Sequence, residues 1–261
     1  MLISLRSAGV SDIGNHRSTN QDSAFTAPWG AAVADGVGGG PAGDLASAAL
    51  THRLVSGLRA PLTATQLLTR LREANWDLRA HVLRDRSLEG MATTFTGIFL
   101  TPSGRLVLAH TGDSRAYRLR AGSLTRQTRD DSFVQALVDR GLMSADEAAS
   151  HPQRNVITAS LHGGEDDVMS IVELDARSGD RWLLCSDGVS DYVLEPELAA
   201  LMAAGSPSAA AGAITHLALE AGSRDNVTAV VCDVATGDAS IDETWFYGAA
   251  ATRFNERLET V

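Results

Sequence analysis

Four separated aspartates stand where short apolar runs begin or end, each beside glycine or another small residue. Asp35 closes the run Ala31–Ala34 and is followed by Gly36, Val37, Gly38, Gly39 and Gly40. Asp113 follows Arg105–His110 in AHTGDSRAY, and Asp187 ends the run in LLCSDGVSD with Asp191 four residues on. Asp225 precedes Val227–Val234 in GSRDNVTAVV. One such aspartate is the ordinary mark of a turn. Four that met at one edge of a sheet would be different, because gathered carboxylates repel and their burial without partners is costly. Such a cluster calls for cations. Hard oxygen donors suit Mg²⁺ or Mn²⁺, which keep several waters and need few protein ligands. Glycine beside the carboxylate fits the same chemistry, since it allows close approach and leaves a backbone carbonyl unobstructed.

Positioning these groups requires sheets. Strands are expected at Ile3–Gly9, Ala31–Ala34, Thr93–Leu100, Arg105–His110, Ala116–Arg120, Val168–Val172, Arg181–Cys185 and Val227–Val234, all rich in Val, Ile, Leu or Thr. Asp44–Leu58, Ala64–Leu83, Glu195–Ala203 and Ser208–Glu220 carry apolar residues at helical spacing. Strands and helices do not alternate regularly, so the order predicts antiparallel sheets covered by helices, an α+β sandwich. Arg126–Gly163 departs from this pattern. Phe133, Val134, Leu137, Val138 and Leu142 are at helical spacing, and Ser144 with Glu147 forms an N-cap signature for a second short helix. The pair reads as a subdomain over one sheet edge. Residues 238–261, with Trp245, Phe246 and Tyr247, read as a packed or partly ordered extension beyond the last core strand.

The 261 residues suffice for one large core. A net charge of −10, with every one of the 22 basic residues an arginine, argues against a nucleic-acid surface. Cys185 and Cys232 sit in apolar runs without a C-x-x-C pair and read as buried thiols. The first residues lack a signal peptide's apolar core, and no run reaches the ~18 apolar residues of a membrane span. A cytoplasmic location without membrane contact is expected.

Seven motifs in order, SDIGNHRSTNQDS, ADGVGGGPAGDLAS, ATTFTG, GDSRAYRLR, HPQRNVIT, LLCSDGVSD and RDNVT, span most of the stretch from Ser7 to Val234. With them the sequence resembles the metal-dependent serine/threonine protein phosphatases of type 2C, in particular compact bacterial members. The resemblance implies two antiparallel sheets sandwiched between helices, one catalytic domain over residues 1–237 with a flap at about 126–163, and an extension of unassigned role. It implies hydrolysis of phosphoserine and phosphothreonine on proteins by direct attack of a metal-bridging water, opposing a bacterial serine/threonine kinase. It assigns two Mn²⁺ or Mg²⁺ ions to Asp35, the Gly36 carbonyl, Asp187 and Asp225, with Asp35 as the bridge. Asp113 and Asp191, with Asp187, match a third, weaker site. Asp22 would support metal-bound waters, Asn226 would fix the last ligand, and Arg17 would bind the substrate phosphate, for which its planar fork of donors is suited. The partners expected are phosphorylated proteins and a cognate kinase, with the chain acting as a monomer.

Three positions depart from the family pattern. Val37 stands where many eukaryotic members carry a histidine, Gln21 where Glu is frequent, and Ala92 where Gly precedes Thr-Thr. No histidine is assigned to catalysis: His110 reads as a satisfied strand-end residue, and His151 and His162 belong to the flap region. Ser186 reads as a hydrogen-bonding neighbour of Asp187 rather than a nucleophile. Two rival readings are a catalytically idle module that binds phosphoproteins through Arg17 and a phosphatase dedicated to one partner protein. Retention of Asp35, Asp187 and Asp225 argues against the first.

Overall fold

The computed structural model describes residues 3–37, 42–237 and 243–258, the last five of these by backbone alone. Gly38, Gly39 and Gly40 of the glycine run, and residues 238–242 and 259–261 of the expected extension, lie outside the described residues. One sheet has the order β1-β10-β9-β6-β7, built from β1 (Ile3–Asp12), β6 (Arg115–Arg120), β7 (Ser123–Arg126), β9 (Arg181–Cys185) and β10 (Val227–Thr236). The other has the order β11-β2-β3-β4-β5-β8. Its strands are β2 (Asp22–Ala27), β3 (Gly30–Asp35), β4 (Phe95–Leu100), β5 (Leu106–Thr111), β8 (Ser170–Leu174) and β11 (Trp245–Gly248). Every strand pair among the described residues is antiparallel.

Alternation of side chains across each strand explains the layers. Leu184, Val230, Val33 and Ile98 meet in the core between the sheets. Their neighbours Leu183 and Val231 face outward onto α6 (Glu195–Met202) and α7 (Pro207–Glu220) through Leu198 and Ile214. On the opposite side Phe25 and Phe99 pack against Leu50 and Leu54 of α1 (Gly43–Val55) and Leu67 and Leu71 of α2 (Ala64–Arg84). The result is the expected α+β sandwich of helix, sheet, sheet and helix. Cys185 and Cys232 are buried and unpaired.

The expected helices are present within a few residues of their predicted ends, and α3 (Phe133–Asp139) and α4 (Ala145–Ser150) form the inserted pair. At α4 the predicted capping box is made: the Glu147 amide donates to Ser144 Oγ at 3.3 Å, and the Ser144 amide donates to Glu147 Oε2 at 2.8 Å. Three strands were not anticipated. All six residues of β2 are buried, so small and polar side chains mask any alternation. Strand β7 is a short polar edge, and β11 lies in the extension that the sequence left without regular structure, so Val227–Val234 is not the last strand.

Leu161 pairs with Thr93, and the segment after it is anchored to α2 by one buried side chain. Asn75 accepts from the Gly163 amide at 2.9 Å and donates to the Gly164 carbonyl at 3.1 Å and Asp167 Oδ2 at 2.9 Å. Asn75→Ala leaves buried backbone groups without partners, a cost of about 2 kcal/mol. For a chain of this size that corresponds to a fall in Tm of roughly 4–8 °C, readable by calorimetry.

Candidate metal centre

Both sheets present their aspartates at one end. Asp22 opens β2 directly opposite Asp35 at the close of β3. In the other sheet Cys185, at the end of β9, is paired with Arg115 at the start of β6 and Ala229 near the start of β10, which brings Asp187, Asp113 and Asp225 to a common edge. Hydroxyls stitch the two edges together: Ser186 Oγ and Thr228 Oγ1 donate to Asp22 Oδ2 at 2.8 and 2.6 Å, and Thr94 Oγ1 lies 2.7 Å from Ser114 Oγ. Thr94 Oγ1 also accepts from the Asp35 amide at 3.0 Å. These threonines and serines have no signature beyond small polar residues in apolar runs, and sequence reasoning assigned a role only to Ser186.

The electrostatics are those of crowded acids. Burial, opposed by its two hydroxyl donors, pushes Asp22 up to about 6. Burial followed by the charges of Asp130 and Asp191, opposed by Arg115, raises Asp113 to about 7. Asp35 and Asp187 are held well above the ordinary carboxylate range, first by burial and then by repulsion from the other aspartates of the cluster. Asp191 is raised by burial against the pull of Arg115 and Arg154. Asp187 Oδ1 is buried with no hydrogen-bond partner.

An orphaned carboxylate oxygen among mutually repelling acids is an electrostatic demand for positive charge, and the donors on offer are all hard oxygens. Among the described residues no group of three or more His, Cys, Asp or Glu side chains is placed to hold an ion by itself. The residues therefore fit ions that retain much of their hydration, as Mg²⁺ and Mn²⁺ do. The backbone at Gly36 is equally constrained. Its amide donates to the Gln21 carbonyl at 3.1 Å, and a Cβ there would lie 2.3 Å from the Gly43 carbonyl oxygen.

Arg17 reaches the cluster through Nη2, 2.6 Å from Asp225 Oδ2. Its loop is shaped by Asn226, which donates to the Ile13 and Thr19 carbonyls at 2.9 and 3.1 Å and accepts from the Gln21 amide at 2.8 Å. Asn226 thus orders the Arg17 loop as well as standing beside Asp225. From the segment after α4, Arg154 lies 3.4 Å from Asp191, over a cavity of about 180 Å³ between the aspartates and α3–α4. The wall of that cavity includes a buried network that the sequence did not disclose. Asp130, 6% exposed, accepts from Arg115 Nη2 at 2.7 Å and is also bonded to Arg126. Arg115 was visible in GDSRAY, but its pairing with Asp130 depends on the β6–β7 hairpin and the turn after it. His110 is buried and donates from Nε2 to the Arg129 carbonyl at 2.9 Å, a satisfied strand-end histidine. His162 pairs with Asp167, and His151 Nδ1 accepts from the Gln153 amide.

The family model for protein phosphatase 2C matches residues 10–218. Over 251 residues the chain is 42% identical to the serine/threonine protein phosphatase PstP of Mycobacterium tuberculosis, covering 95% of this chain and 48% of that protein. It is 33% identical over 214 residues to the serine/threonine phosphatase stp of Listeria welshimeri, covering 77% and 82%. The crystal structure of PstP superposes with a TM-score of 0.83 at 40% identity, over 89% of this chain and 99% of that one. The catalytic domain of PstP in complex with two manganese ions gives 0.81 at 39%, over 90% and 100%. The chain belongs to the protein phosphatase 2C family. It spans about half the length of the mycobacterial relative.

Proposed function

We propose that this chain is a Mn²⁺- or Mg²⁺-dependent phosphatase that removes phosphate from serine and threonine side chains of proteins, opposing a serine/threonine kinase. The observation that carries the reading is the meeting of Asp22, Asp35, Asp113, Asp187, Asp191 and Asp225 at one end of the sandwich, with Arg17 held against Asp225. In this reading Asp35 would serve two ions, the Gly36 carbonyl one of them and Asp187 and Asp225 the other, while Asp113 and Asp191 would join Asp187 at a third. Such ions supply Lewis acidity toward phosphoryl oxygens and make water a competent nucleophile at neutral pH. Asp22, fixed by Ser186 and Thr228, orients donors around them. Arg17 offers a planar fork of five donors, so it can hold a phosphate while keeping its bond to Asp225.

A covalent cysteine route is disfavoured by the chain itself. Burial pushes both Cys185 and Cys232 up to about 12, leaving no thiolate. The PstP catalytic domain solved in complex with two manganese ions supports the choice of cofactor. We assign the chemistry to residues 1–237 with residues 126–163 as flap, in a monomer acting in the cytoplasm. No helix among the described residues is long and apolar enough to cross a membrane.

The test is phosphate release from a phosphothreonine peptide under EDTA, Mg²⁺ and Mn²⁺. Turnover requires added metal, and Arg17→Ala lowers kcat/KM by roughly 10- to 100-fold, as expected for losing a charged hydrogen-bonding partner of the substrate. Folded, Mn²⁺-loaded protein that releases nothing from several phosphopeptides returns the chain to the class of phosphoprotein-binding modules.

A further inference from the structure

The corner formed by Gln21, Asp22, Gly36 and the start of α1 is packed almost without slack. The Gln21 carbonyl accepts from Gly36 and from Ser47 Oγ at 2.6 Å, and a Cβ on Gly43 would lie 2.9 Å from Gln21 Nε2 and 3.0 Å from the Gly36 carbonyl carbon. Displacement of the first turn of α1 therefore moves Gly36. What holds that turn is the segment that follows the core strands.

Strand β11 pairs with β2 from Trp245↔Thr26 to Gly248↔Ser23. Its last residue has φ +65, and a Cβ there would meet the Asp22 carbonyl oxygen at 2.2 Å and Ser11 Oγ at 2.7 Å, so only glycine lets the strand end against the backbone of Asp22. The Tyr247 ring covers Gly9. From Gly248 the chain turns into α8 (Ala249–Leu258), whose first residues Ala249 and Ala250 pack on Ala48 of α1. His52 of α1 donates to the Ala250 carbonyl at 2.7 Å and stacks on Phe246 with ring centroids 4.0 Å apart. Arg253 Nε donates to Asp44 Oδ2 at 2.8 Å, on the residue after Gly43, with Nη2 on the same oxygen. The solved PstP domains are matched over 99–100% of their own length but only 89–90% of this chain.

The geometry points to Trp245–Arg253 as a positioning strap: Gly248 fixes the start of β2 and Arg253 the start of α1, and together they set the spacing between Asp22 and Gly36 at the candidate metal centre. The strap touches neither substrate nor the candidate ligand side chains. It acts through Asp22 backbone on one side and Asp44–Gly43 on the other, so its loss loosens the corner without removing a ligand. This rests on reading that corner as part of a cation-dependent site.

The test uses the full chain with Arg253→Ala, Arg253→Lys and, as a control on the strap's exposed face, Trp245→Ser; Trp245 is 61% exposed. Two readouts bear on it. In EDTA, hydrogen exchange is followed at the Gly36 amide, bonded to Gln21, and the Ala46 amide, bonded to Ala42. With metal, Mn²⁺ affinity is measured by calorimetry and kcat at saturating Mn²⁺. Arg253→Ala is expected to speed exchange at both amides and weaken Mn²⁺ binding by about 10-fold, the lower end of the roughly 10- to 100-fold that supporting residues contribute to metal affinity. At saturating Mn²⁺ kcat recovers to near the unmodified value, Arg253→Lys restores most of the affinity, and Trp245→Ser changes neither readout. An Arg253→Ala protein that melts lower yet keeps Gly36 exchange and Mn²⁺ affinity overturns the proposal and leaves the strap as packing alone. An unmodified chain that binds no Mn²⁺ overturns the site reading, and the proposal with it.

Discussion

Asp35→Asn is expected to abolish phosphopeptide turnover while raising the melting temperature of the metal-free protein. Both effects come from the same crowding. Asp35 is partly buried beside Asp22, Asp187, Asp113 and Asp225, each of which disfavours its charge. Without a cation, folding gathers like charges in a place of low polarizability, and an amide of the same shape relieves one set of repulsions. A gain of about 1–2 kcal/mol, or roughly 2–8 °C, is expected in EDTA. The proposed bridge is then missing, so turnover at saturating Mn²⁺ falls by at least ~10³-fold, as expected for loss of a group that organises the reacting centre. Unmodified protein should also gain more stability from Mn²⁺ than Asp35→Asn does, since only tight binding to the folded state raises Tm. Scanning calorimetry with EDTA and with Mn²⁺, set beside phosphate release, reads all three. A variant that loses stability in EDTA and keeps its turnover contradicts the assignment of Asp35.

What the sequence disclosed follows from where period and burial agree. Val227–Val234 and Arg181–Cys185 carry branched and apolar side chains on both faces because both faces are buried, one between the sheets and one under α7. Ser144 and Glu147 were legible because a capping box is a local interaction three residues long. Strand β2 was not, since Phe25 is the one large apolar residue in Asp22–Ala27 and the small or polar residues around it show no alternation, although all six are buried. Strand β11 was hidden because its pairing to β2 spans more than two hundred residues and leaves no periodic trace. The aspartates were recognisable one by one at strand ends. Their meeting is a property of sheet order, which puts the β2–β3 edge against the β6–β9–β10 edge. The Arg115–Asp130–Arg126 network was out of reach for the same reason: it is set by a hairpin and a turn, and arginine beside aspartate is otherwise an ordinary surface pairing.

Gly188→Ala is expected to be the most damaging glycine-to-alanine change among the described residues. Gly188 sits in α5 (Asp187–Ser190), directly after Asp187. A Cβ there would lie 2.0 Å from the Asn226 carbonyl oxygen and 3.0 Å from its carbon, with the Asp225 Cβ at 3.5 Å. The obstruction is backbone, so no rotamer change removes it. Nor can that backbone yield freely, because the Asn226 side chain ties Ile13, Thr19 and Gln21 together and Ser223 Oγ donates to the Gly188 carbonyl at 2.9 Å. Room for the methyl comes only by parting Asp187 from Asp225 and carrying the Arg17 loop with them. Overpacking of this kind costs about 3 kcal/mol, a fall in Tm of roughly 6–12 °C. Turnover should fall further than the unfolded fraction explains, with Mn²⁺ affinity falling alongside it, when both are measured well below the new Tm. Gly212→Ala in α7 is the matching control. Nothing lies within 4 Å of its Cβ position, and replacing a helical glycine there should stabilise by about 0.5–1 kcal/mol and leave turnover unchanged. If Gly188→Ala keeps full activity and Mn²⁺ affinity at low temperature, the Asp187–Asp225 spacing is not set by this contact, and the assignment of those two carboxylates to one ion loses its structural support.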